Sequence, residues 1–388
     1  MSDPKNTLKK LQFVLFFGHM ANDWCPGALW ILLPAIGMAF DLEPSQIGLL
    51  VAIHAIGSGI AYLPAGILSD RIQKQGRILL ITFWWVGIGY ISASQAPGFW
   101  SLALLLALAG MGDAVWHPVA TGILARKMPK QRGQALGTHA IGGTLATTLS
   151  PLFAGFLLSI FDWREVLTIS AGPALLMGFI FFWHGKQVPS SPPNKLSRKD
   201  LKAVKQLWVS SSGLALIATV STYNMAVMAL TTITPLFLQK SWGVSPGKAG
   251  AVFATAMLIG AIGQPIVGRI SDRIGRKSIL VSGSILGAIC AILAGFSIGV
   301  SWVSFNLALG IGILVAIRSG VMAFAVDFSG KREATTLGFL FVLMDSVGAI
   351  GAVIAGLIAD IQLYYAFFLS AGLSLISILT MIFVKQKK

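Results

Sequence analysis

The chain alternates long apolar runs with short polar breaks, and this alternation limits what it can fold into. A helix rises about 1.5 Å per residue, so roughly twenty apolar residues cross the ~30 Å hydrocarbon core of a bilayer. Twelve runs reach that length, at 11–39, 45–69, 78–96, 101–124, 133–159, 166–184, 208–238, 249–270, 278–299, 302–326, 334–359 and 364–384. In lipid each such run must satisfy its own backbone hydrogen bonds, which makes it helical. Of the 388 residues 55% are hydrophobic and only 11% charged, less than half the share of about one quarter usual in a soluble domain. The expectation is an all-α membrane protein with twelve transmembrane helices.

The formal charge of +15 raises the question of a nucleic-acid partner, and its distribution answers it. All but four of the 29 Lys and Arg fall in segments on one side of a twelve-span arrangement. Arg164, Lys240 and Lys248 fall on the other side, and Arg318 lies inside a span. This is the positive-inside pattern, with both termini cytoplasmic, and it accounts for the charge without nucleic acid. Cys25 and Cys290 both lie in apolar runs and read as small buried residues, not as a disulfide framework. Lys9 and Lys10 before an apolar run imitate a signal peptide. Asp23 interrupts that run and no small-residue cleavage site closes it, so it reads as a retained first span.

The two halves of the chain repeat. GILSDR at Gly66–Arg71 recurs as GRISDR at Gly268–Arg273, and FDWREVLTISAG ending at Gly172 recurs as IQLYYAFFLSAG ending at Gly372. Between runs six and seven lies HGKQVPSSPPNKLSRKDLKAVKQ, opened by Pro and Ser and closed by a basic stretch suited to an anionic inner leaflet. The expected organisation is an N-terminal six-helix half over 1–184, a cytoplasmic linker over 185–207 and a C-terminal six-helix half over 208–388. Such a pair forms a parallel repeat about an axis normal to the membrane.

Polar residues inside the runs mark the candidate site. The stretch Phe16–Pro34, FFGHMANDWCPGALWILLP, carries His19 and Asp23 where lipid or packed helix is expected. A charge at the bilayer centre costs about 2.5–3.5 kcal/mol on insertion scales, so such residues generally have a function. His19 and Asp23 are four apart and share a helix face; Asp113 and His117 repeat the relation inverted. An imidazole one turn from a carboxylate can hold a proton between them, which makes these four the candidates for proton coupling. The competing reading is packed polar contacts and satisfied core histidines. His54 and His139 lie in runs two and five, and only His184 stands at a run's end. Histidines gathered in this way either relay protons and grip an anion, or ligate a transition metal through His19, Asp23, His117 and His139. No HxxxH or CxxC spacing supports the metal reading.

In the second half Arg318 lies in run ten and Asp345 near the middle of run eleven. Either they pair with each other, or Arg318 receives a substrate anion bidentately. Tyr223 and Asn224 offer hydrogen bonds to a substrate or between helices, and Trp116 offers an apolar wall or simple packing. No catalytic triad or HExxH pattern is present, so an intramembrane hydrolase or a sensor is set aside and no enzyme activity is expected.

GILSDR and, more completely, GRISDRIGRK resemble the loop signature of the major facilitator superfamily, and LPAIGMAFDLEPSQIGLL resembles the first extracellular turn of its proton-linked antiporters. Within it, GHMANDW, GMGDAVWHPVATGILARK and QRGQALGTHAIGGTLATTLSPLFAG resemble the fosmidomycin-resistance group of efflux transporters. The resemblance implies two pseudo-symmetric halves, a central cavity lined by spans one and four, and gating by Gly66, Asp70, Arg71, Gly268, Asp272 and Arg273. Ala107 stands where many proton antiporters carry an arginine, and the first loop, DRIQKQGR, is longer than its second copy. The function expected is a secondary transporter working by alternating access, exporting a small polar or anionic organic compound against protons. The alternative is uptake of a transition metal ion or metal chelate. No cofactor is expected; the partners are the substrate, protons and the lipid bilayer, and the protein is expected as a monomer in a bacterial inner membrane.

Overall fold

The computed structural model describes residues 4–128, 132–185, 188, 206–296, 298–329 and 339–385, and for residues 4–7, 70, 71, 125, 132–134, 184 and 329 the backbone only. Nearly all of the expected linker, 185–207, lies outside these residues. The described residues form helices and no strand. In the first half these are α1 (Pro4–Asn22), α2 (Trp24–Ala39), α3 (Pro44–Arg71), α4 (Gln75–Ser94), α5 (Phe99–Lys127), α6 (Arg132–Leu157), α7 (Trp163–Ser170) and α8 (Gly172–His184). They are followed by α9 (Ser211–Trp242), α10 (Pro246–Ile274), α11 (Arg276–Gly295), α12 (Val300–Ser329), a π turn (Leu343–Val347), α13 (Ala349–Ala359) and α14 (Tyr365–Ile382).

Among the described residues eleven helical stretches are long and apolar enough to cross a membrane. The run expected at 11–39 is not one of them because α1 and α2 divide it at Asp23. The helical bonds continue through the division, from Asp23 N to the His19 carbonyl at 3.1 Å and from Gly27 N to the Asp23 carbonyl at 3.0 Å. Pro26 has no N–H to give the Asn22 carbonyl, which bends the helix at this point and exposes Asp23 at the bend.

Local chemistry sets the other boundaries. Asp162 and Glu165 form a capping box that starts α7, with Asp162 accepting from the Arg164 and Glu165 amides at 2.8 and 2.9 Å. Ser210 caps α9, and Gly243 closes it at φ 60°. Gly275 takes φ 96° between α10 and α11, a conformation that favours glycine and lets DRIGRK turn within one residue.

The chain gathers into two compact units, Met1–Leu32 with Ile53–Lys195, and Leu33–Ala52 with Leu196–Lys388. In the first, Trp116 lies over Gly18 and contacts Phe83 and Phe181, with ring centroids 4.8 and 6.1 Å away. These rings fix α1 against α4, α5 and α8 beneath the polar residues of α1. In the second, the first turn of α3 is seated on α13. The Asp360 carboxylate accepts from the Ser45 amide at 2.9 Å, and Gly48 and Gly356 lie so close to the facing backbone that neither has room for a Cβ.

Candidate functional site

The bend at Asp23 carries its carboxylate into a cluster built by α1, α5 and α6. His19 Nε2 lies 3.2 Å from Asp23 Oδ2, His117 Nε2 lies 3.7 Å from Asp23 Oδ1, and His117 Nε2 lies 3.9 Å from Asp113 Oδ2. The two pairs expected from i, i+4 spacing are therefore one group, bridged across helices by Asp23 and His117. All four side chains are 11–19% exposed, enough for access and little enough that unpaired charge is costly.

Asn22 completes the cluster, and the sequence reading passed over it. Its amide donates to Asp113 Oδ1 at 2.5 Å, to the Asp113 carbonyl at 3.2 Å and to Asp23 Oδ1 at 3.2 Å, and the residue is fully buried. It is the third polar residue of one apolar turn, a signal visible beside His19 and Asp23.

His19 is held from its other side. Its Nδ1 lies 2.8 Å from the His139 carbonyl, an oxygen that only accepts, so Nδ1 carries a hydrogen. The neutral ring then presents a bare Nε2 lone pair to a carboxylate at 3.2 Å. That contact becomes attractive when one more proton is present, on Nε2 or on Asp23. Gly143 allows this geometry: a Cβ there would stand 2.6 Å from His19 Nε2 and 2.9 Å from Asp23 Oδ2.

The remaining candidates fall elsewhere. His54 bonds the Tyr90 hydroxyl through Nε2 at 2.8 Å, outside the cluster. Trp116 is fully buried in the ring packing and offers no wall to a ligand in this structure. Tyr223 donates to the Leu314 carbonyl and Asn224 to the Met344 carbonyl, so both polar groups are engaged between helices. Asp345 sits in the π turn, and Arg318 is half-buried on α12. Among the described residues these two form no ion pair with each other.

The repeat is exact enough to align the two units. Asn22 donates to the Asp113 carbonyl and Tyr223 to the Leu314 carbonyl, an offset of 201 residues in both donor and acceptor. The same offset places Asn224 at the position of Asp23. It also makes Arg318 the counterpart of His117.

At the loop motif, Asp272 Oδ1 lies 2.5 Å from Arg276 Nη1, and Arg276 Nε donates to Asp327 Oδ2 at 3.1 Å. Arg276 also donates to Ser271 Oγ at 2.5 Å. Arg273 is exposed. In the first copy Gln75 donates to the Ser69 carbonyl at 2.8 Å, replacing Arg276 across the longer loop. The side chains of Asp70 and Arg71 lie outside the described residues. Gly66 and Gly268 face Pro118 and Ser319 at 3.8 and 4.0 Å from an added Cβ, so neither is a tight contact.

This fold of two helical repeats, with ionisable residues buried in spans, defines a membrane transporter. The chain matches the Major Facilitator Superfamily over residues 15–241 and again over 214–388, and it belongs to that family. The family is one of transporters, not enzymes. The fosmidomycin resistance protein of Escherichia coli (strain K12) is 25% identical over 93% of this chain and 89% of its own length. A probable sugar efflux transporter of Helicobacter acinonychis (strain Sheeba) is 24% identical over 92% and 90%. Among solved structures, a bacterial homologue of the human lysosomal transporter Spinster, inward-facing and unoccupied, superposes with a TM-score of 0.76 at 18% identity, covering 99% of this chain and 95% of that one. The nucleoside transporter NupG superposes with a TM-score of 0.80 at 13% identity, covering 97% and 100%. These likenesses bear out the twofold helical fold. Relatives named for efflux do not favour the metal-uptake alternative.

Proposed function

We propose that the protein exports a small polar or anionic organic compound in exchange for protons, by alternating access. Asp23 and His19 form its proton site, with Asp113 and His117 in support. The observation that carries this reading is the His19 contact. With Nδ1–H committed to the His139 carbonyl, the 3.2 Å approach of Nε2 to Asp23 is stable only with one added proton. Protonation and release at this point change the charge of a buried cluster, which is what a coupling site must do. The efflux names of the relatives support export, and the one-sided distribution of Lys and Arg supports cytoplasmic termini in an inner membrane. Arg318 is the proposed receiver of a substrate anion, since guanidinium stays charged and binds oxyanions through two parallel hydrogen bonds.

The test uses everted membrane vesicles loaded with a pH dye, with fosmidomycin and a panel of monosaccharides as probes. A probe that is a substrate collapses an imposed pH gradient through the unmutated chain, and Asp23→Asn abolishes that response while leaving probe binding. Full pH-driven transport by Asp23→Asn disposes of the proposed site.

A further inference from the structure

The sequence placed His139 among residues that touch substrate or metal, and the structure puts it to other use. It is 2% exposed, and its ring lies parallel to that of His19 at a centroid distance of 4.2 Å and an interplanar angle of 18°. Its Nδ1 lies 3.1 Å from the Leu15 carbonyl, again an oxygen that only accepts, so this nitrogen carries a hydrogen. Leu15 and His19 are one turn apart on α1. The two helices therefore hold each other reciprocally: the His139 ring donates to α1 at Leu15, and the His139 carbonyl accepts from α1 at His19.

We propose that His139 is the positioning residue of the proton site: its ring nitrogen anchors α6 to α1 at Leu15, so that its own carbonyl fixes the tautomer of His19. This rests on the reading of His19 and Asp23 as the proton site. If His19 turned over, Nδ1 would face Asp23 and the bond to the His139 carbonyl would be lost. The glycines that follow His139 bring the α6 backbone directly against the pair. Gly142 meets the Phe16 carbonyl and Gly143 meets His19 and Asp23, so α6 has no slack between His139 and the carboxylate. His139 thus acts on the coupled proton through His19, without touching Asp23 itself.

Asn and Gln separate this role from simple packing. The amide nitrogen of Asn stands the same number of bonds from the backbone as His Nδ1, while that of Gln matches Nε2. The experiment is ¹⁵N NMR of purified protein labelled on histidine rings, read at alkaline pH for the tautomer of His19, which is assigned by its loss in His19→Asn. The unmutated chain shows a single Nδ1–H tautomer. His139→Asn keeps it, because the donor to the Leu15 carbonyl is restored. His139→Gln and His139→Leu give a mixture. A single Nδ1–H tautomer in His139→Gln or His139→Leu overturns the proposal, as does a mixture in the unmutated chain. Should His139→Leu fail to fold, the Asn and Gln variants carry the comparison alone. The spectrum is independent of transport. Asp23→Asn vesicles that still couple to pH therefore refute the proton-site reading and leave the tautomer result as a separate finding.

Discussion

Asn22 holds two carboxylates that would otherwise repel. Asp23 and Asp113 both face His117, and the Asn22 amide supplies one hydrogen to each. Replacing Asn22 by Leu leaves both carboxylates short of a buried donor, a loss of about 1–3 kcal/mol. The expected result is a lower melting temperature in detergent. An unchanged melting temperature would show that the Asn22 bonds contribute nothing to stability. Gly143 is the complementary case. An added methyl stands against His19 Nε2, so Gly143→Ala drives the pair apart at an overpacking cost of about 1–3 kcal/mol. Folded protein that has lost pH-driven transport is the outcome expected, read by the same vesicle assay. At this scale the sequence showed the pairs formed within one helix, since spacing of four places them on one face. The bridge from Asp23 to His117 and the bond from His19 to a main-chain carbonyl depend on tertiary packing, and no residue type announces them.

Among the elements, the apolar runs translated directly into helices, because a membrane span is specified by length and composition. One division is informative. The first run became α1 and α2 at the very residue that carries the charge, since Pro26 leaves the Asn22 carbonyl without its helical donor. The loop motif was likewise legible as a repeat, but its hub was not. Arg276 lies within GRISDRIGRK but beyond the six residues that repeat, and it joins α10, α11 and α12 through Asp272, Ser271 and Asp327. Asp272 and Asp327 are 60% and 52% exposed, so each ion pair contributes no more than about 1 kcal/mol. Arg276→Gln is accordingly expected to cost little stability at low salt and still less as salt screens the pairs. Thermal unfolding at low and high ionic strength checks this, and a large loss that salt leaves untouched would assign Arg276 a packing role instead.

Across the whole molecule, the repeat shows one architecture carrying two chemistries. Where the first unit has Asp23 and His117, both able to gain and lose protons, the second has Asn224, which cannot ionise, and Arg318, which does not lose its charge. Asn224 spends its amide on the Met344 carbonyl of the π turn, the turn that holds Asp345. A pair that titrates suits proton exchange, and a fixed cation suits an anionic substrate, so the two tasks should be separable by mutation. Thermal stabilisation by ligands reads substrate binding without transport: a ligand at a hundred times its dissociation constant contributes about 2.7 kcal/mol. Screened against organic carboxylates and phosphonates, the Asp23→Asn protein should keep the stabilisation it has lost the means to couple. Arg318→Gln should lose it, and Arg318→Lys should recover only part, because an ammonium keeps the charge without the planar fork. Stabilisation that survives in Arg318→Gln would place anion recognition elsewhere in the chain, whereas its loss in Asp23→Asn would join binding and coupling in the first unit alone.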